Sequence, residues 1–268
     1  MFFKLFSIEW TRLTRRTLFW FTLVACSLFI WLSLENFYGM NRVELLDGSL
    51  KMPGVSFDLA NSLDQLLIVA LPFLILISAM MLGNDYSQRT NQHWLMRSSR
   101  TSSLLAKFTM LTLVIFLLQW TTLLVGGLTG WYFKTFTYNA YSLANVNWLS
   151  TFYATFYMTL VTLPYAALTL LVVVFTRSAF ASIAIGLGYT QFIEFLATGI
   201  FYNTSWSRWL MRNLYYSATY YLNTIGNKTV DIPAHLLQPV PAFVTAAVYT
   251  LIFLSLAIWL YRRQDIGG

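Results

Sequence analysis

The chain predicts an all-α integral membrane protein with six transmembrane helices, and three observations carry that reading. Only 10% of the 268 residues are charged while 57% are hydrophobic, against about 25% charged in soluble domains. So few charges cannot clothe a water-facing surface. Six stretches are long and apolar enough to cross a bilayer, which takes about 20 helical residues. Lys and Arg gather at the ends of those stretches, more on one side than on the other.

The first element is residues 1–16. Phe2, Phe6, Trp10 and Leu13 recur at helical spacing, with Lys4, Glu9, Arg12, Arg15 and Arg16 on the polar side. The pattern predicts an interfacial elbow helix lying in the headgroup plane; a plain continuation of the first span is the other reading. No small-residue cleavage site follows clearly, so the first apolar run reads as a retained span. The six spans are placed at residues 17–34, 65–82, 108–133, 149–175, 179–201 and 242–261. Only Thr176, Arg177 and Ser178 separate the fourth from the fifth. One helix through both would overshoot the bilayer, so a tight hairpin at Arg177 is expected.

Pro72 and Pro164 predict kinks in the second and fourth spans. Gly126 with Gly130, and Ser182 with Gly186, are small-xxx-small pairs that allow close helix packing, here within the subunit. Two outer segments are long. The first, about 35–64, holds Glu35, Glu44, Asp47, Asp58 and Asp64. In the last, 202–241, residues 206–222 place Trp206, Trp209, Leu210, Leu214 and Tyr221 on one helical face, with Arg208 and Arg212 elsewhere. That predicts a helix at, or dipping into, the outer leaflet; an aromatic belt is the alternative. Nothing leaves room for a soluble domain, so residues 1–268 read as one membrane domain.

Orientation follows from the basic residues. With both termini in the cytosol, eleven lie inside (Lys4, Arg12, Arg15, Arg16, Arg89, Arg97, Arg100, Lys107, Arg177, Arg262, Arg263) and six outside (Arg42, Lys51, Lys134, Arg208, Arg212, Lys228). The net charge of +7 then reads as inner-face charge beside anionic membrane lipids. The cations are too dispersed for nucleic-acid binding.

Catalytic machinery is not legible. Cys26 is the only cysteine, which excludes an intrachain disulfide. His93 and His235 fall on opposite sides in this topology and cannot share a metal. There is no H-E-x-x-H, no Ser-His arrangement and no intramembrane Asp pair, so an intramembrane hydrolase lacks its parts. The phosphate loop G-x-x-x-x-G-K-[ST] is also missing, so the chain cannot hold ATP that way.

The compact polar island at residues 84–107 stands out between two apolar stretches. Its helix-compatible core, 88–96, carries Trp94, Leu95 and Met96 between Arg89 and Arg97, with Arg100 following. Apolar residues held out on a basic loop suit a short helix that docks into a groove on a partner. An ordinary positive-inside loop is the plainer reading.

Asp85, Tyr86, Thr90, Leu95, Arg100 and Lys107, in that order, resemble the segment between the second and third spans of the permease subunits of type-2 ABC exporters. The ending Tyr261-Arg262-Arg263-Gln264-Asp265-Ile266 is similar to their aromatic-Arg-Arg-x-Asp-Ile closure, and residues 1–16 to their elbow helix. The family usually has Glu at Asp85, Gly at Arg89 and often Pro near Ser98. The resemblance implies two permease subunits, identical or homologous, above two cytosolic ABC ATPase subunits that bind the ATP and Mg. It implies a coupling helix seated in an ATPase cleft, with Asp85, Tyr86, Arg89, Thr90, Trp94, Leu95, Arg97 and Arg100 as the coupling set. It further implies short broken helices between spans five and six acting as an outer gate near Trp206 and Trp209. The expected location is the prokaryotic cytoplasmic membrane.

Glu194 is the remaining candidate. It sits about 22 Å along its helix from Ala179, at 1.5 Å per residue. An ionisable group at that depth is a functional candidate by default. It could line a substrate path, pair with Arg208 or Arg212, bond as a neutral acid to Tyr189 or Gln191, or be an interfacial acid. The expectation is an exporter subunit for a hydrophobic or amphipathic substrate such as a lipid, peptide or antibiotic. A non-transporting membrane anchor or assembly factor is the alternative.

Overall fold

A computed structural model describes residues 2–46, 55–87, 100–138, 146–201, 204–222, 233 and 235–264. Every regular element among them is helical. These are α1 (Phe2–Thr14), α2 (Thr17–Met40), the short α3 (Arg42–Leu46), α4 (Val55–Ser87) and α5 (Arg100–Tyr132), which a π turn (Phe133–Thr137) continues. After α6 (Trp148–Thr176), the fifth span consists of α7 (Ala179–Leu187), a π turn (Gly188–Ile193) and α8 (Glu194–Ile200). A 3-10 turn (Ser207–Trp209), α9 (Met211–Tyr221) and α10 (Pro239–Arg263) complete the order.

Among the described residues, six stretches are long and apolar enough to cross a membrane: Thr17–Met40, Val69–Tyr86, Arg100–Thr137, Trp148–Thr176, Ala179–Ile200 and Pro239–Arg263. The multi-pass, all-helical reading therefore stands, while the ends move. α4 begins at Val55 instead of residue 65, because Asp58 and Ser62 are buried against α5 and do not belong to a solvated loop. Gly126 makes the approach close: a Cβ there would come within 2.6 Å of the Ser62 Cβ. The small pair of the third span thus packs inside the subunit. Gly186 does the same against Ile75.

α6 is the central helix, packed against α4, α5, α7, α9 and α10. Its many threonines do not leave polar atoms orphaned in an apolar core. Thr151, Thr155, Thr159 and Thr162 each donate to a carbonyl four residues back, which is how hydroxyls are accommodated where water is scarce. Gln119 of α5 reaches across to the Thr159 hydroxyl at 3.0 Å. Pro72 and Pro164 both lie inside their helices.

The hairpin expected at Arg177 is present. Arg177 adopts the left-handed conformation, φ 54°, and Ser178 caps α7 by accepting from the Ala181 N–H. The turn rests on α4, where a Cβ on Gly83 would come within 2.6 Å of the Ala179 Cα.

In α1, Phe6, Trp10 and Leu13 pack against the helical core, with α5 as the principal neighbour. Glu9, assigned above to the headgroup-facing side, is buried. The chain turns at Arg16, whose guanidinium donates to the Met80 carbonyl at 3.0 Å. The described chain ends, in α1 and at Gln264, the helix ends at Ser87 and Arg100 and the Arg177 hairpin therefore share one end of the bundle, the terminal end. The opposite end carries α3, the first π turn and the 3-10 turn.

Candidate functional site

At the terminal end, Lys107 is 1% exposed and sits inside a polar cage. Its Nζ lies 2.7 Å from Glu9 Oε1, 2.8 Å from Asp85 Oδ2 and 3.1 Å from the Met81 carbonyl. An ammonium has three protons to donate, and all three have acceptors. The Arg12 guanidinium lies 3.5 Å from Glu9 and 3.7 Å from Asp85. Two cations thus face two carboxylates, and α1, α4 and α5 meet at one node. Taking charges out of water is costly unless they are paired and hydrogen-bonded, and this cage does both.

Beside it, the Tyr86 hydroxyl donates to Gln264 Oε1 at 2.7 Å. Arg100 donates to the carbonyls of Arg262, at 3.1 Å, and of Gln264. Asp85, Tyr86 and Arg100 are therefore engaged with the chain's own terminal segments. The other members of the expected coupling set, Arg89, Thr90, Trp94, Leu95 and Arg97, lie outside the described residues.

Glu194 is also 1% exposed. Its Oε2 accepts from the Tyr165 hydroxyl at 2.8 Å and its Oε1 from the Arg212 backbone N–H at 2.7 Å. The carboxyl caps the first turn of α9, whose early N–H groups lack intrahelical partners. It thereby joins α6, α8 and α9. The bonds run to the backbone of Arg212 and to Tyr165, which sequence reasoning did not single out; the guanidinium bonds the Tyr216 hydroxyl at 3.0 Å and lies over the Phe195 ring at 4.9 Å.

The single apolar face expected over residues 206–222 is not formed. The 3-10 turn ends in extended backbone at Leu210. Trp206 and Trp209 point outward, 47% and 43% exposed, while Leu214 is fully buried. α9 dips into the bundle, and the Tyr215 hydroxyl donates to the Leu63 carbonyl at 2.9 Å. A groove of about 330 Å³ beside it is bounded by Phe195, Leu196, Asn213, Tyr216 and His235.

One polar centre escaped the sequence reading. Asp58 and Lys134, placed on separate outer loops, form an ion pair with 0% and 1% side-chain exposure. Tyr38 donates to the second Asp58 oxygen at 2.7 Å, and the Tyr138 hydroxyl donates to the Tyr38 carbonyl at 3.0 Å. Asp58 precedes the apolar stretch Val69–Tyr86. Burial holds its carboxyl above the usual carboxylate range, against the pull of the Lys134 ammonium and the Tyr38 hydroxyl. The signal was legible in principle. Asp58 and Ser62, four apart, face Gly130 and Gly126, also four apart, and side chains at that spacing share a helix face.

Among the described residues, no group of three His, Cys, Asp or Glu side chains is placed to hold a metal ion. Residues 20–267 match a family described as "Protein of unknown function (DUF2705)", and the chain belongs to that family. No curated protein matches it.

Proposed function

We propose that this DUF2705 member is the membrane-spanning subunit of an ATP-driven exporter of the type-2 ABC kind. In this reading two permease subunits pair in the prokaryotic cytoplasmic membrane with both termini in the cytosol. A separate ATPase holds the nucleotide and Mg and docks on the segment between α4 and α5. The substrate is hydrophobic or amphipathic, because the buried charges of the chain are engaged by internal partners and leave few groups to compensate a strongly charged solute.

The observation that carries the reading is the Lys107 cage. It joins α1, the end of α4 before residue 88 and the start of α5 after residue 99. A brace of this kind suits a segment that receives force from a partner. The clustering of α1, Gln264 and the helix ends at Ser87 and Arg100 at one end accords with the inner-face excess of Lys and Arg.

The test is co-purification with an ATPase encoded beside the gene. The wild-type chain is expected to retain it, and Trp94→Glu with Leu95→Glu to lose it while inserting normally. An ATPase held equally by the variant would end the docking assignment. A wild-type chain that binds no ATPase would favour the non-transporting anchor.

A further inference from the structure

The C-terminal closure contributes more than a helix end. α10 stops at Arg263, and its last carbonyls lack intrahelical donors. The Arg100 guanidinium supplies them, donating to Arg262 and Gln264 and adding a positive charge at the negative pole of the helix. Gln264 leaves the helix in extended conformation, φ −71° and ψ 124°. Its side-chain oxygen accepts from Tyr86 and its amide nitrogen donates to the Val174 carbonyl of α6. The Tyr86 and Tyr261 rings meet edge to face at 6.4 Å. The four residues from Tyr261 to Gln264 thus hold the chain on both sides of the segment at 88–99, at Tyr86 before it and at Arg100 after it. The same α6 that Gln264 grips at Val174 carries, at Tyr165, the hydroxyl that holds Glu194 and with it α9.

We propose that Gln264 is a positioning residue for the ATPase-facing segment, a clasp that ties both of its ends to the fourth and sixth spans so that displacement of the segment reaches the helix carrying Tyr165. This rests on the export reading for its purpose, though the clasp itself can be tested on the chain alone.

The experiment is amide hydrogen exchange on the full chain in lipid nanodiscs, comparing wild type with Gln264→Met, Gln264→Glu and Tyr86→Phe. Gln264→Met removes both side-chain bonds at nearly constant volume. Exchange near Tyr86 and at the Arg177 hairpin is expected to quicken by about fivefold to tenfold, while Arg100–Lys107, held through the Arg262 and Gln264 carbonyls that the variant keeps, and the α6 core around Ala154–Val161 stay unchanged. Gln264→Glu keeps an acceptor for Tyr86 but loses the donor to Val174. It should protect the Tyr86 side as wild type does while loosening the Arg177 hairpin. Tyr86→Phe leaves the tail intact and should reproduce the faster exchange near residue 86. Wild-type exchange in both Gln264→Met and Tyr86→Phe, or a uniform rise through the core, overturns the clasp. No ATPase is needed for this measurement, so loss of the export reading would show in co-purification and not here.

Discussion

Lys134 reaches Asp58 from the π turn that ends the third span, and both side chains are shut away from the surface. The pair joins the second and third spans at the end away from Gln264, and Tyr38 adds the first. Removing one partner leaves the other charge buried alone, a loss of about 3–5 kcal/mol, whereas replacing both with apolar groups is often neutral. Lys134→Met and Asp58→Leu are each expected to lower the melting temperature sharply in detergent, and the double variant to recover most of the loss. A double variant as unstable as the two losses summed would mean that the pair is not the interaction at stake.

Glycine positions separate close approach from open space. A Cβ on Gly130 would fall on the Asp58 carboxylate, whereas one on Gly188 would meet nothing within 4 Å. Gly130→Ala is expected to cut the yield of monodisperse protein, because packed cores accommodate added volume poorly. Gly188→Ala is expected to behave as wild type. Size-exclusion profiles of the two variants check this directly, and equal profiles would contradict the packing of α4 on α5.

The spans were legible because apolar length is a one-dimensional property and lipid imposes it strictly. The Arg177 hairpin was legible for the same reason, since length alone required a break. Polar partners were not. Lys107 and Asp85 look like independent loop charges until α1 brings Glu9 across, and Asp58 looks solvated until α4 is seen to continue past its apolar stretch. Glu194 could be flagged by depth, but its partner Tyr165 sits 29 residues away on another span. The break of residues 206–222 at Leu210 was also hidden, because helical periodicity continues through a residue that the packing holds extended.

The Lys107 cage predicts a local loss as well as a global one. Lys107→Met leaves Glu9 and Asp85 facing each other with only Arg12 between their charges. α1 should then detach from α5 and unwind enough for trypsin to cut after Arg12 and Arg15 at concentrations that spare the wild type. Adding Glu9→Gln to that variant removes one of the two carboxylate charges and should restore part of the protection. Equal proteolysis of all three proteins would show that the apolar face of α1, not the cage, holds the elbow.

Glu194 and Tyr165 allow the outer node to be dissected. Both carboxyl oxygens accept, one from the Tyr165 hydroxyl and one from the Arg212 N–H. In Glu194→Gln the amide oxygen can keep the Arg212 N–H while the amide nitrogen donates to the Tyr165 hydroxyl, whose own proton then loses its acceptor, at a cost of about 1–3 kcal/mol. In Tyr165→Phe only the hydroxyl bond is lost, at about 1 kcal/mol. When the two substitutions are combined, the bond that each removes is counted once and the hydroxyl proton left without an acceptor is gone, while the amide oxygen keeps the Arg212 N–H. The double variant should therefore be less destabilised than the sum. Thermal unfolding of the four proteins gives the coupling, expected near 1 kcal/mol. Because Glu194 holds the first turn of α9, its loss should also raise amide exchange over Met211–Tyr221 more than over α8. Additive losses with α9 unaffected would remove Glu194 as the link between the central helix and the outer segment, and with it the route from the terminal end to Trp206 and Trp209.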